Sequence, residues 1–267
     1  MSLKNATALL VLTALVACSK VPLTNRKQMN LLPESQLIAM SLTSYNEFLA
    51  QNPPVSASDA DSRLVKNTGT KISAAVITYM GQNGFSDRIK GYKWDFNLVN
   101  SKELNAWCMP GGKVVVYSGL LPVTKDEAGL AFVMGHEIAH AVARHGNERM
   151  SQMLMAQAGG IALDVALANK PAETRALFMT AYGVGSQVGV MLPFSRMHET
   201  EADKLGMIFM AMAGYDPSEA PKVWERMIQM NKGPKPPEIL STHPGDQTRI
   251  ANLKKYVPVA MKYYKKK

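Results

Sequence analysis

Cysteine is nearly absent from this chain of 267 residues, which has two, Cys18 and Cys108. At most one internal disulfide can form, so a small cross-linked scaffold is excluded and the fold must rest on a packed core. A 46% hydrophobic content is enough to supply one. Long apolar runs are also missing. The most continuous, Ala8 to Ala17, covers about ten residues and is too short to span a bilayer stably. Aromatics make up 7% of the chain, without the interleaving of aromatic and Arg residues that marks a nucleic-acid surface, so no nucleic-acid partner is expected despite a net charge of +9. Much of that charge lies late, at Lys254-Lys255 and from Lys262 to Lys267. It suits attraction to an anionic membrane surface or envelope polymer, or simply a solvated tail. No internal repeat is visible.

The N-terminus reads as a targeting segment. Lys4 gives a short positive region, the apolar run follows, and Leu15-Val16-Ala17-Cys18 is similar to a bacterial lipobox. On that reading residues 1–17 are a signal peptide and Cys18 is lipidated. Residues 18–32 are then a linker, and Ser19 implies an outer-membrane lipoprotein facing the periplasm. A multiply acylated Cys anchors a soluble domain to the membrane by itself. Ordinary signal cleavage after Ala17 is the alternative. With Cys18 carrying lipid, Cys108 stands alone on a predicted strand beside Trp107, where an inert core thiol is expected.

Helices are predicted over Pro33–Gln51 and Asp59–Met80, and strands over Tyr92–Val99, Asn105–Met109 and Val114–Ser118, with Gly111-Gly112 turning into the third strand. Everything after is helical. Helices around one small antiparallel sheet define an α+β class. Met150–Leu192 is rich in Ala, Gly and Met and is split at Lys170-Pro171. Ala176–Leu192 lacks charge, but its Thr, Gly, Ser and Gln residues favour a packed hairpin over a membrane span. Lys232–Pro237 holds three prolines and is expected to be a loop.

The run His136-Glu137-Ile138-Ala139-His140 carries the chemistry. A helix is expected from Val123 to Arg144, with Thr124 as N-cap, Glu127 three residues on, and Gly146 as a stop. Residues four apart share a face, so both imidazoles can reach one metal ion, and Glu137 beside them can reach a water. Two His, a third protein ligand and an open position form a hydrolytic zinc site. Two surface His are the bland alternative, but the apolar neighbours Leu130, Phe132, Val133, Met134, Ile138 and Val142 leave little exposed surface. The third ligand is sought in Ser195–Gly206, where Glu199 and Asp203 share a face and Glu201 points elsewhere. An acidic first turn favoured by the helix dipole is the competing explanation. His198 is the competing ligand.

His-Glu-Ile-Ala-His followed by Glu199-x-x-x-Asp203 resembles the membrane-associated gluzincin zinc metallopeptidases of the HtpX, BepA and LoiP type. The resemblance extends to Asn105-Ala106-Trp107, Pro110-Gly111-Gly112, Ser195-Arg196, Ala213–Pro217 and Ser241-Thr242-His243-Pro244 with Arg249, covering roughly residues 30 to 255. It implies a zincin-type domain over 33–267 with one Zn2+ per subunit, bound by His136, His140 and Glu199. Glu137 would be the general base. Asp203 would orient a ligand His or donate a proton, and His243 would gate the site or stabilise the oxyanion. Asn105, Ala106 and Trp107 would form the edge strand that holds an extended polypeptide. Trp107-Cys108 departs from the family's usual smaller aromatic and apolar pair, which bears on side-chain preference. The implied activity is endoproteolysis of misfolded envelope proteins, with outer-membrane assembly partners. A chaperone with a latent zinc site and a zinc amidase of envelope polymers are the alternatives.

Overall fold

The computed structural model describes residues 18–169, 172, 176, 178–180, 182, 192–230, 239, 243 and 247–264. The signal-peptide expectation for 1–17, the Pro-rich loop at 232–237 and most of the second half of the 150–192 hairpin lie outside these residues. The chain divides into two units, residues 1–33 with 144–198, and 34–143 with 199–267.

In the first unit, β1 (Cys18–Lys20) and β2 (Lys27–Met29) pair antiparallel with Ser19 opposite Gln28. Their connection uses left-handed backbone at Leu23 and Asn25. Residues 18–32 are therefore a folded hairpin and its exit, where the sequence suggested a linker. The reason lies in the helix that follows Arg144, α5 (His145–Ala166). Its buried Glu148 accepts two hydrogen bonds from the Arg26 guanidinium, at 2.6 and 2.8 Å, and one from Gln28 Nε2 at 3.0 Å. His198 Nε2 lies 2.8 Å from the same carboxylate, and His145 stacks on His198 with ring centroids 4.3 Å apart. The Leu31 N–H donates to Ser151 Oγ and Asn147 Nδ2 donates to the Leu32 carbonyl, which fixes the chain beyond β2. Farther along α5, Met153, Leu154, Met155, Ile161 and Val165 are exposed. No helix among the described residues is long and apolar enough to cross a membrane.

The second unit opens with α1 (Glu34–Gln51) and α2 (Ala60–Gln82), the latter capped by Asp59, whose carboxylate accepts from the Asp61 and Ser62 N–H groups. Strands β3 (Asp95–Val99), β4 (Ala106–Met109) and β5 (Lys113–Tyr117) form one sheet in the order β3-β5-β4. The expected antiparallel pairing holds between β4 and β5, whereas β3 runs parallel to β5. Residues 100–112 return the chain through β4 on the far side of β5, so β4 is an edge strand and the α+β class stands.

After a short α3 (Leu121–Thr124) the chain kinks at Lys125, φ 66°, and α4 (Glu127–Val142) begins with Asp126 as its N-cap, accepting from the Gly129 N–H at 2.8 Å. Thr124 thus closes one helix instead of opening the next, because Asp126 offers a carboxylate in the extended backbone a cap needs. At the other end α4 stops at Val142, and Arg144 takes the left-handed conformation expected of Gly146. Nearly every residue of α4 is buried, which is why its sequence shows no polar stripe.

Among the described residues, helices α6 (Leu192–Met212), α7 (Glu219–Met230) and α8 (Gln247–Ala260) follow. Because α6 starts at Leu192, Glu199 and Asp203 lie in its interior, and attraction to the helix N-terminus does not account for them. In the second unit, α4 and α6 meet backbone to backbone. A Cβ at Gly135 would come within 3.0 Å of the Gly206 carbonyl, and one at Gly206 within 2.8 Å of the His136 nitrogen. Glu199, Asp203 and Gly206 follow i, i+4, i+7 spacing, so the stripe carrying both acids is the one pressed against His136.

Candidate metal centre

His136 and His140, one turn apart on α4, point their Nε2 atoms at each other across 3.1 Å. Glu199 closes the other side, 3.4 Å from His136 Nε2 and 3.3 Å from His140 Nε2. His243 Nδ1 lies 3.0 and 3.1 Å from the two Glu199 oxygens and 3.3 Å from His136 Nε2. One ligand atom from each of the four residues falls within 4.8 Å of all the others. Lone pairs of neutral imidazoles and a carboxylate repel at such distances unless a cation or shared protons lie between them. His136 and Glu199 are buried, while His140 and His243 are partly exposed.

The charges around the cluster ask for the same thing. Asp203 Oδ1 is 3.0 Å from His136 Nδ1, the ring nitrogen facing away from the cluster. Arg249 from α8 donates to both Asp203 oxygens at 2.7 Å and reaches Glu199 Oε2 at 2.8 Å. Its guanidinium lies over the Trp224 ring, 3.7 Å from the centroid. Three carboxylates (Glu137, Glu199 and Asp203) thus face one guanidinium, and with neutral imidazoles a divalent cation balances the set. Burial disfavours a charge on His136, but the Asp203 and Glu199 carboxylates outweigh it and take its pKa up to about 9, so without metal it holds a proton. Burial likewise opposes ionisation of Glu199, yet His140, His136 and His243 hold its carboxyl well below the usual range. Arg249 does the same for Asp203.

Glu137 is buried, and its Oε1 has no hydrogen-bond partner among the described residues; His243 Nε2 is 3.6 Å away. An unsatisfied buried carboxylate oxygen is costly unless something else, such as a water, fills its place. Burial raises its pKa, toward the range of a general base working near neutrality. Cys108 is free, and burial followed by the charge of Glu137 pushes its thiol up, away from the thiolate form.

The structure thus gathers His136, Glu137, His140, Glu199, Asp203 and His243 in one place. The strand residues behave differently. Ala106 is buried and Trp107 turns to the α1 side, meeting Phe48 and Tyr45 edge-on at 5.0 and 6.1 Å, so its ring lies outside the cluster. The Asn105 carbonyl accepts from the Tyr117 N–H, and the Leu104 carbonyl accepts from the Ile239 N–H. His198, the rival ligand, bonds to Glu148 instead. Sequence reasoning missed the Trp224 platform and the Gly135–Gly206 contact. Trp224 sits in an amphipathic helix pattern that marks it only as core, and two glycines 71 positions apart carry no pairing signal.

A helix bearing two His and a base, joined by an acid from a second helix, defines a metal-dependent peptidase. The chain belongs to peptidase family M48, whose profile matches residues 71–257. It is 32% identical over 253 residues to the mitochondrial metalloendopeptidase OMA1 of Schizosaccharomyces pombe, covering 90% of this chain and 66% of that protein. It is 36% identical over 189 residues to the Saccharomyces cerevisiae protein of the same name, covering 66% of this chain and 50% of that one. The beta-barrel assembly-enhancing protease of Escherichia coli K12 is 35% identical over 166 residues, 60% of this chain and 33% of the relative. The chain therefore spans less than two thirds of the length of these relatives. The bacterial type expected from sequence is one of two kinds of relative, the other being mitochondrial.

Proposed function

We propose that the protein is a zinc-dependent endopeptidase, with His136, His140 and Glu199 holding the ion. The observation that carries this reading is the convergence of their ligand atoms with His243 inside 4.8 Å, beside a buried base. When bound, zinc supplies Lewis acidity, lowering the pKa of water and polarising a carbonyl. Glu137 takes one proton from the attacking water and returns it to the leaving amine as the peptide C–N bond breaks. Asp203 holds the His136 ring through Nδ1, keeping Nε2 free for the metal, and Arg249 offsets the charge of Asp203 and Glu199. His243 sits where a fourth ligand would, which supports a gate that moves aside for substrate.

Polypeptide is the substrate class. The edge position of β4 next to α4 supports main-chain pairing with an extended chain through Asn105, Ala106 and Trp107, with the Trp107 side chain serving the fold. Attachment to an envelope membrane through a lipidated Cys18 rests on the Leu15–Cys18 pattern, and envelope or outer-membrane assembly proteins as substrates rest on the likeness to the E. coli assembly-enhancing protease.

Purified full-length protein, incubated with unfolded casein before and after zinc chelation and readdition, tests the reading. Zinc-restored cleavage is expected. Stoichiometric zinc without cleavage would favour a binding or chaperone role. Labelling with a fatty acid tests Cys18: label should vanish in Cys18→Ala, and undiminished label rejects the anchor.

A further inference from the structure

Arg249 lies in the first turn of α8, the end of a helix whose dipole disfavours a cation, and it is buried. What holds it there is one set of contacts within the second unit. Nε and Nη2 donate to the two Asp203 oxygens, each at 2.7 Å, and the remaining nitrogen, Nη1, reaches Glu199 Oε2 at 2.8 Å. The Trp224 ring lies against the guanidinium, 3.7 Å from centroid to carbon, so the fork cannot turn without losing that face. All three nitrogens of a rigid group are thus engaged by two acids one helical turn apart. The two Glu199 oxygens are unequal as a result. Both face the imidazoles: Oε1 lies 3.0 Å from His243 Nδ1 and 3.3 Å from His140 Nε2, and Oε2 lies 3.1 Å from His243 Nδ1 and 3.4 Å from His136 Nε2. The rings alone would let the carboxylate chelate an ion through both oxygens. The guanidinium sits on Oε2, where a charge-assisted hydrogen bond takes up a lone pair and draws charge away from the metal side.

We infer that Arg249 is a positioning residue that reserves Glu199 Oε1 for the ion, keeps the carboxylate a one-oxygen ligand and so selects zinc over manganese, with Trp224 holding Arg249 to this task. The inference rests on the metal-site reading above and adds metal choice to it. Two imidazoles, one carboxylate oxygen and a fourth place make the four-coordinate set that zinc takes. A carboxylate giving both oxygens would add a fifth donor, and an oxygen donor at that, which suits Mn2+ better. The positive charge of Arg249 opposes every divalent ion alike, so its effect on selectivity must come from where its nitrogens point. A lysine would keep the charge and lose the fork: one ammonium cannot bond Asp203 twice and Glu199 once in a fixed plane.

The test uses the full chain, stripped of metal and reloaded, and needs no substrate. Co2+ serves as the probe, because its visible absorption per bound ion is strong in a four-coordinate site and weaker in a five-coordinate one. Wild type should give the strong spectrum. In Arg249→Ala the absorption per bound cobalt should fall, and the ratio of the Mn2+ to the Zn2+ dissociation constant, from chelator competition, should drop by roughly 10–100-fold, the scale on which partners of metal ligands act. Arg249→Lys should resemble Arg249→Ala. Trp224→Leu, which keeps the guanidinium, should move both readings the same way by less, and Trp224→Phe, which keeps a ring face, least of all. Both readings are taken per bound ion, so a variant that folds only in part still reports, and the two Trp224 variants carry the test if Arg249→Ala does not fold. Spectrum and ratio unmoved in Arg249→Ala and Trp224→Leu, Arg249→Lys matching wild type, or a five-coordinate wild type each overturns the inference and leaves the metal site standing. A wild-type protein that binds neither Co2+ nor Zn2+ overturns the metal-site reading itself.

Discussion

Two buried polar clusters of this protein share a parts list and differ in purpose. Around Glu148, an Arg and a Gln donate to the carboxylate oxygens and a His ring nitrogen meets one of them, at 2.6 to 3.0 Å. Around Glu199, three imidazoles crowd one carboxylate and one another, with two Nε2 atoms 3.1 Å apart and a third ring 3.0 Å from Glu199, and Arg249 reaches only the Oε2 side. The first cluster is complete as a set of protein groups. The second needs a cation, or protons shared among its rings, between the nitrogens that face one another. Complementary pairing marks a structural tie, and convergence of like groups marks a site awaiting a ligand.

The largest test of this contrast is Glu137→Gln, which should cut hydrolysis by roughly 10²–10⁴-fold while leaving zinc content and thermal stability near wild type; retained turnover would remove Glu137 as base. Arg26→Ala should do the reverse. Breaking a buried ion pair costs about 3–5 kcal/mol, visible as a lower urea midpoint, and zinc per folded molecule should be unchanged. If zinc is lost while folding stability holds, the Glu148 cluster is not a structural tie.

Acid should probe the same pair. Arg26, His198 and Gln28 overcome the cost of burial and lower the Glu148 pKa to about 2. Its folded pKa is below the unfolded one, so it contributes stability at pH above about 4.5 and loses it as pH falls toward 2, by at most about 3 kcal/mol. Denaturation midpoints across that window should flatten in Glu148→Gln; an identical acid slope would contradict the assignment. Asp203→Asn should weaken zinc affinity by roughly 10–100-fold, the usual effect of losing a group that orients a ligand His, as measured by competition with a chelator. The smallest effect is at the surface: Lys71→Ala, which breaks the exposed contact with Glu127, should change stability by less than about 1 kcal/mol.

The clustering of these side chains was legible because their spacing is local. His136 to His140 and Glu199 to Asp203 are each one helical turn, so helix geometry alone predicts which side chains align. The α+β class and the positions of the three strands along the chain followed from alternation and turn residues in the same way. What escaped depends on pairing across distance. That β3 runs parallel to β5 is decided by how residues 100–112 return, and no strand's own pattern records its neighbour's direction. Residues 18–32 looked like a linker because Arg26 and Gln28 read as ordinary polar residues until Glu148, 122 positions from Arg26, supplies the buried acceptor. The break at Lys125 was hidden because Thr124 and Asp126 are both good caps, and only the backbone chooses between them.

The contact between Gly135 and Gly206 has a consequence for which mutations the protein can accept. Neither residue has a side chain to donate, ligate or pack, yet an added methyl at either would meet the backbone of the opposing helix. Relief would have to come from moving α4 away from α6, and those helices carry the two halves of the donor set. In a saturation scan scored by zinc retention, alanine at 135 or 206 should therefore rank with the loss of a histidine, although the substitution is among the gentlest available elsewhere in a helix. The map of intolerant positions would then extend past the residues with chemistry to the pair of empty places that let that chemistry meet.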